Sequence, residues 1–165
     1  MYMAQLGARV RRARKARGLT QSALANQAGI ARETLSQLES GIAKELGFAR
    51  VSRLLSALDL DLEIQDTSSS ARTTDYVALG AAAGSTGFRD ALGGEELVRA
   101  LLGGKPPARK SPHVRRLLED SPPRLIAGLV AQVSQWAEPR RVRRGLQELA
   151  AKLEVAPRAE WTKPD

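Results

Sequence analysis

A short polar run, RETLSQ, gathers side chains that recognise other molecules by paired hydrogen bonds. The guanidinium fork of Arg32 and the amide of Gln37 can each form two hydrogen bonds with one flat partner, and the carboxylate of Glu33 accepts them. Thr34 and Ser36 add hydroxyl groups that donate or accept. Groups of this kind can read the edges of nucleic-acid bases, so they predict recognition rather than bond cleavage.

The rest of the sequence offers no comparable set of groups for bond-breaking chemistry. Its 165 residues include no cysteine and one histidine, His113, which excludes disulfides, thiolate metal sites and histidine-based metal clusters. The adjacent carboxylates Glu95 and Glu96, and likewise Glu119 and Asp120, point apart if they lie on a helix. We therefore expect no enzymatic activity, no metal and no cofactor, and we expect His113 to lie at the surface.

The overall charge favours a polyanionic partner. Lys and Arg number 26 against 18 Asp and Glu, a formal net charge of +8. Such a chain is attracted to nucleic acid, although acidic substrates and anionic membranes are alternatives. No apolar run approaches the roughly 20 residues of a membrane span, and the basic N-terminus lacks the apolar segment of a signal peptide. We expect a cytoplasmic protein without a membrane partner.

Helical periodicity predicts four helices in the first half of the chain. The first ends at Gly18, the second runs from the N-cap Thr20 to Ala28, and the third runs from about Ala31 to Glu39. The apolar stripe of the fourth helix consists of Phe48, Val51, Leu54, Leu55 and Leu58.

After the fourth helix the pattern changes to strict alternation in LDLDLEI, which predicts a strand with Leu60, Leu62 and Ile64 on one face. No neighbouring segment reads as a strand, and a lone strand leaves its backbone hydrogen-bonding groups unpaired. The simplest partner is the same strand of a second copy, paired antiparallel across a two-fold axis. Pairing within the C-terminal half, or with a different protein, is the alternative.

The second and third helices have the features of a helix-turn-helix in the segment QSALANQAGIARETLSQLESG. Such a motif needs a small residue where its helices cross, a glycine in the turn and apolar residues that hold the helices together. Ala25 is the small residue and Gly29 lies in the turn. The apolar residues are Leu24, Ile30, Leu35 and Leu38.

With its LTQ entry and LESG exit, this segment closely resembles the helix-turn-helix domain of the phage repressor and Cro family, also called the XRE family. The resemblance covers about residues 5–64, and its last part is most similar to antitoxins of the Hip type, whose short terminal strand pairs between subunits. It implies a mainly α fold. The expected architecture is a repressor-like domain of the five-helix type with a C-terminal dimerisation strand, followed by a separate helical domain.

The resemblance also implies roles for individual residues. Residues 31–38 are expected in the major groove of DNA. The expected base-contacting residues are Arg32, Glu33 and Gln37 above all, with Thr34 and Ser36. The expected phosphate-contacting residues are Gln21, Ser40 and Lys44. Arg14 and Glu39 occupy positions at which many family members form a salt bridge between the first and third helices.

The polar segment QDTSSSARTTD indicates a linker between two halves. We predict a DNA-binding domain over residues 1–66, a linker over 67–75, a helical partner-binding or oligomerisation domain over 76–156 and a tail over 157–165. Within the second half, the Ser-Pro pairs at 111–112 and 121–122 and the Pro at 139 mark helix starts. The segment LGAAAGSTGF lacks the lysine of a phosphate-binding loop, and we expect a loop or a helix terminus there.

Two groups of cations leave alternatives open. The second half contains the run EPRRVRRGLQE, with a possible basic patch at Arg140, Arg141, Arg143 and Arg144. It fits a solvated helix face, a second contact with the DNA backbone or a docking patch for an acidic protein. The first helix carries Arg9, Arg11, Arg12, Lys15 and Arg17. These fit a solvated face, with or without one or two phosphate contacts.

The leading hypothesis is a homodimeric, sequence-specific DNA-binding regulator that recognises a palindromic operator, including its own promoter, and represses by excluding polymerase. The resemblance adds an antitoxin role, in which the C-terminal region or the dimer flank binds a cognate toxin protein. The alternative is a ligand-responsive repressor with an effector pocket in residues 76–156.

Overall fold

Two compact units divide the chain, Met1–Thr74 (unit 1) and Asp75–Asp165 (unit 2). The computed structural model describes residues 2–62 and 74–158, and the regular structure within those ranges is entirely helical. The predicted mainly α class is therefore confirmed.

Unit 1 contains four helices in its described part. They are α1 (Met3–Ala16), α2 (Gln21–Ala28), α3 (Arg32–Glu39) and α4 (Phe48–Ser56). Helix α3 packs against α1 and α2, and α4 packs against α2. The core consists of aliphatic side chains from all four helices, together with Leu58 just after α4. Its fully buried members include Val10, Leu24, Leu35, Leu38, Leu54 and Leu58. Each such side chain contributes about 1.5–3 kcal/mol when it leaves water, so this core holds α3 in place.

The turn between α2 and α3 depends on a glycine. Gly29 ends α2 in the left-handed conformation, with φ of 61°, which costs glycine little because it has no Cβ. The opposite end of α2 is capped by Thr20, whose hydroxyl oxygen accepts a 3.1 Å hydrogen bond from the Ala23 amide. Both ends of α2 thus lie where the sequence predicted them, and α3 begins three residues after Gly29.

Unit 2 contains five helices in its described part. They are α5 (Tyr76–Ser85), α6 (Gly94–Gly103), α7 (Ser111–Asp120), α8 (Pro123–Ser134) and α9 (Pro139–Lys152). Helix α5 packs against α6, α7 and α8, and α9 packs against α6 and α8. Helix α5 has no charged residue, as is typical of a helix with neighbours on several sides.

One expectation about local structure differs from the fold. Leu60 and Leu62 do not lie in a strand, while Ile64 lies outside the described residues. A strand forms only where another strand satisfies its backbone groups, and no described segment pairs with residues 60–62. The segment LGAAAGSTGF contains the C-terminal end of α5, which agrees with the helix-terminus alternative. Helix α5 forms because alanine favours helix and because the Asp75 carboxylate caps its start by accepting from the Val77 and Ala78 amides.

Candidate nucleic-acid interface

Helix α3 separates its apolar and polar side chains between two faces. Leu35 and Leu38 are fully buried in unit 1. The five residues expected to contact bases are on the remaining surface: Arg32, Glu33 and Gln37 are exposed, and Thr34 and Ser36 are half-buried. The helix therefore presents to solvent the polar groups that can bond to base edges.

Two of the exposed side chains on α3 are already in contact with one another. The Gln37 amide donates a 3.3 Å hydrogen bond to a carboxylate oxygen of Glu33, one helical turn away. Arg32 has no hydrogen-bond or ion-pair partner among the described residues. Its guanidinium is therefore available for a bidentate contact, for which guanine O6 and N7 provide the matching pair of acceptors.

A buried ion pair fixes α3 relative to α1. Arg14 Nε lies 2.6 Å from Glu39 Oε1, and Arg14 Nη2 donates a 2.8 Å hydrogen bond to Glu39 Oε2. Arg14 also donates to the carbonyl oxygen of Leu19 over 2.6 Å. The arrangement is bidentate, which adds geometric specificity to the attraction between the charges. It joins the same two residues that the resemblance pairs.

The Glu39 carboxylate stays charged within this pair. Burial acts to raise its pKa, but hydrogen bonds from Arg14 and Gln21, together with the charges of Arg14 and Arg11, outweigh burial and hold the pKa below its usual range. The hydrogen bond to Glu39 raises the pKa of Arg14, against the effect of burial. Both residues therefore keep their charges at neutral pH.

The residues expected at phosphates differ in what their side chains contact. Gln21 Nε2 donates a 2.9 Å hydrogen bond to Glu39 Oε2, so this side chain contacts the Arg14–Glu39 ion pair between α1 and α3. The Ser40 hydroxyl donates to the carbonyl oxygen of Gln37 over 3.0 Å. Lys44 is exposed beyond the end of α3. The first amides of α2, at its positive end, lie beside Gln21 and suit an anion such as phosphate.

One residue that positions α2 could not be predicted from the sequence. Arg53 on α4 donates a 3.1 Å hydrogen bond from Nε to the carbonyl oxygen of Ala28, in the last residue of α2. A cation at a helix C-terminus satisfies an unpaired carbonyl and complements the helix dipole. The sequence carries no local signal for this contact, because the two residues are 25 positions apart.

The four arginines of the predicted second basic patch have different surroundings on α9. Arg140 and Arg144 are exposed, whereas Arg141 and Arg143 are half-buried. Arg141 Nε donates a 3.1 Å hydrogen bond to the carbonyl oxygen of Leu102, near the end of α6. Arg144 lies 3.7 Å from Glu148 on the same helix. At least one of the four therefore holds α9 against α6.

The expectation of a surface histidine was wrong. His113 is 2% exposed, and its ring stacks on Phe88 with centroids 4.0 Å apart. Its Nε2 lies 2.9 Å from the carbonyl oxygen of Asp90. Both partners lie in the α5–α6 connection, so the imidazole joins that connection to the first turn of α7. A single histidine near a helix start gives no sequence signal for such distant partners.

Comparison with known proteins identifies unit 1. Residues 10–65 match the family model described as Helix-turn-helix, which confirms the XRE-type resemblance. Unit 1 therefore carries an XRE-type helix-turn-helix domain, the DNA-binding domain of transcription regulators of that type. No curated protein and no solved structure matches the chain significantly. Within the described residues, no helix is both long and apolar enough to span a membrane.

Proposed function

We propose that this protein is a homodimeric repressor that binds a palindromic operator through α3, including an operator in its own promoter. The observation that carries the proposal is the two-sided character of α3. Its apolar side is fixed by the core and by the Arg14–Glu39 pair, while Arg32, Glu33 and Gln37 face solvent. A rigid helix with a polar outer face suits the major groove, and a bound dimer excludes polymerase sterically.

Binding to the DNA upstream of the protein's own gene tests this proposal. Arg32→Ala should reduce the free energy of binding to that fragment by roughly 1–3 kcal/mol and relax specificity at one base position. Lys44→Ala should weaken binding to the fragment and to random duplexes alike and reduce the dependence on salt. Titrations by fluorescence anisotropy at several salt concentrations measure both effects. Equal losses for Arg32→Ala on the upstream fragment and on random DNA would contradict base reading by α3.

For unit 2 we propose a partner-binding role, with the chain acting as the antitoxin of a cognate toxin protein. Support comes from the resemblance of residues 5–64 to Hip-type antitoxins and from an apolar outer surface on α5. Leu79 on this helix is 49% exposed, and α5 has no charged side chain along its length. We take this uncharged helix face, with Leu79 in solvent, as the candidate surface for the partner.

A pull-down from nuclease-treated host extract, with the tagged full chain beside residues 1–66, tests the antitoxin proposal. The expected result is a stoichiometric protein retained by the full chain alone, which arrests growth when expressed by itself and is neutralised by co-expression. Leu79→Glu should weaken its capture. If no partner is captured and a metabolite panel raises the melting temperature instead, the ligand-responsive repressor becomes the better account.

A further inference from the structure

The backbone of Gln37 is fixed by the way α3 ends. Gly41 follows the helix in the left-handed conformation, with φ of 74°, which turns the chain back towards the last helical turn. The amides of Ile42 and Ala43 each donate a 3.1 Å hydrogen bond to the Gln37 carbonyl oxygen. The Ser40 hydroxyl donates a third hydrogen bond to the same oxygen over 3.0 Å. Gln37 therefore projects from a backbone that is held from its C-terminal side.

The side chain of Gln37 is held from the opposite side by Glu33. Its Nε2 donates a 3.3 Å hydrogen bond to Glu33 Oε1, across the single helical turn that places residues i and i+4 side by side. Both side chains are exposed, so their contact lies outside the buried core of unit 1. The hydrogen bond therefore orders an outward-facing amide and leaves the packing of α3 to Leu35 and Leu38.

The contact with Glu33 leaves the Gln37 amide with the groups that one base requires. A primary amide has two N–H groups and one carbonyl oxygen, and Glu33 takes one N–H. The other N–H and the carbonyl oxygen form a donor–acceptor pair. Adenine presents the matching pair in the major groove, the N7 acceptor and the N6 amino donor, whereas guanine presents two acceptors. The held amide is therefore suited to adenine.

The position of Glu33 is explained by its own helix. In the first turn of α3, a negative charge complements the positive end of the helix dipole. A carboxylate accepts hydrogen bonds only, and the Gln37 amide supplies a donor. A direct contact with a base would instead bring the carboxylate close to the phosphates, whose negative charges repel it. Contact with Gln37 is therefore the more favourable role for this side chain.

We propose that Gln37 reads an adenine in each half-site and that Glu33 is a positioning residue, which orients the Gln37 amide and reads no base itself. This inference rests on the DNA binding by α3 proposed above and names one base of the site. Ordering a long side chain at an interface weakens binding by roughly 2- to 10-fold. An amide that is already held in the unbound protein avoids this loss.

Single-base substitutions in the duplex motif that the wild-type protein enriches from randomised DNA test the assignment. Gln37→Ala should reduce the preference for adenine at one position roughly fivefold or more. Glu33→Ala should reduce the preference at the same position roughly 2- to 10-fold. In the double variant the two losses should not add, because Glu33 acts only through Gln37. Fluorescence anisotropy at one salt concentration gives each preference as a ratio of two dissociation constants.

Glu33→Gln is the conservative variant that separates positioning from charge. It removes the same negative charge as Glu33→Ala, which strengthens binding to every duplex alike, but it keeps a carbonyl oxygen that accepts from Gln37. The adenine preference should therefore persist in Glu33→Gln and fall in Glu33→Ala. In the DNA-free protein, NMR relaxation of the Gln37 side-chain NH₂ group should show an ordered amide in wild type and Glu33→Gln, and a mobile one in Glu33→Ala.

The outcomes that overturn this inference are distinguishable from failure of the proposed function. A loss at a different base pair in Glu33→Ala, additive with that of Gln37→Ala, would show that Glu33 reads a base itself. A base other than adenine at the position controlled by Gln37 would contradict the adenine assignment. If both variants keep every base preference while Arg32→Ala does not, the inference fails and base reading by α3 stands. If Arg32→Ala also keeps every preference, the proposed function fails as well.

Discussion

The position of α3 against α1 depends on a single buried charge pair, Arg14 and Glu39. Their side chains are 10% and 3% exposed, so removal of one partner leaves the other charge buried and uncompensated. The cost of such a loss is roughly 3–5 kcal/mol, whereas joint replacement by apolar residues of similar volume is often neutral. The Arg14–Glu39 ion pair therefore contributes to the fold mainly by specifying how α3 packs on α1.

Protonation of Glu39 should destabilise unit 1 in acid. The pKa of Glu39 is lower in the folded protein than in the unfolded chain. The charged carboxylate therefore stabilises the fold fully at a pH above its unfolded-state pKa, and this stabilisation is lost as the pH falls through the folded-state pKa. Glu39→Gln should therefore lower the free energy of unfolding at pH 7, and the difference from wild type should shrink as the pH falls below the usual pKa range of a glutamate. Urea titrations followed through NMR signals of α3 amides report this quantity for unit 1. Glu33→Gln, at an exposed site, is the control. A difference that does not change with pH would contradict the assignment.

Single residues also mark the limit of what the sequence could predict about the site. The outward set on α3 followed from the positions of Leu35 and Leu38, since helical periodicity alone separates the two faces. The burial of His113 and the contact of Arg53 with α2 could not be predicted. Each depends on neighbours more than twenty residues away that only the tertiary fold brings close.

At the scale of elements, the crossing of α1 over α3 requires a glycine. A Cβ at Gly7 would overlap the carbonyl oxygen of Leu38, so Gly7→Ala must push the helices apart or distort α3. We expect a loss of roughly 1–3 kcal/mol in stability, accompanied by weaker DNA binding because α3 shifts. Calorimetry and anisotropy measure the two effects. Gly47→Ala, which meets no atom within 4 Å, is the control. Unchanged stability in Gly7→Ala would show that the helices are not in close contact.

Unit 2 contains a similar crossing between α6 and α9. A Cβ at Gly145 would overlap the carbonyl oxygen of Leu101, whereas a Cβ at Gly103 meets nothing within 4 Å. Gly145→Ala should therefore lower the melting temperature of unit 2, while Gly103→Ala should leave it unchanged or raise it, since alanine favours helix. Trp136, on the chain between α8 and α9, is a fluorescence probe within this unit. Equal effects of the two substitutions would contradict the crossing.

The sequence predicted where helices start better than it predicted which secondary-structure elements contact one another. Proline and capping residues fix a helix locally, so the starts of α7, α8 and α9 lie within two residues of their predicted positions. For the segment in which α5 ends, the sequence left a loop or a helix terminus open. In the fold, Gly80 and Gly84 lie within α5 and face close neighbours on other helices. The strand at Leu60 and Leu62 was predicted from alternation alone, which cannot supply the partner that a strand needs.

At the scale of the whole molecule, the formal net charge of +8 gives a sequence-independent attraction to DNA, and in the proposed function α3 adds the selectivity. The two contributions respond differently to salt, because phosphate contacts release counterions and base contacts do not. The proposed dimer would fix the geometry of the DNA site. Its two copies of α3 should read half-sites about 10 base pairs apart, or a multiple of that spacing, related by inversion.

Selection from a library of randomised duplexes tests the central claim, sequence-specific DNA binding through α3, most directly. The full-length protein and Arg32→Ala are each used to enrich bound duplexes, which are then sequenced. We predict that the wild-type protein enriches an inverted repeat and that Arg32→Ala loses preference at one position in each half-site. No enriched motif, or a motif that Arg32→Ala leaves unchanged, would contradict the assignment of α3 as the element that reads sequence.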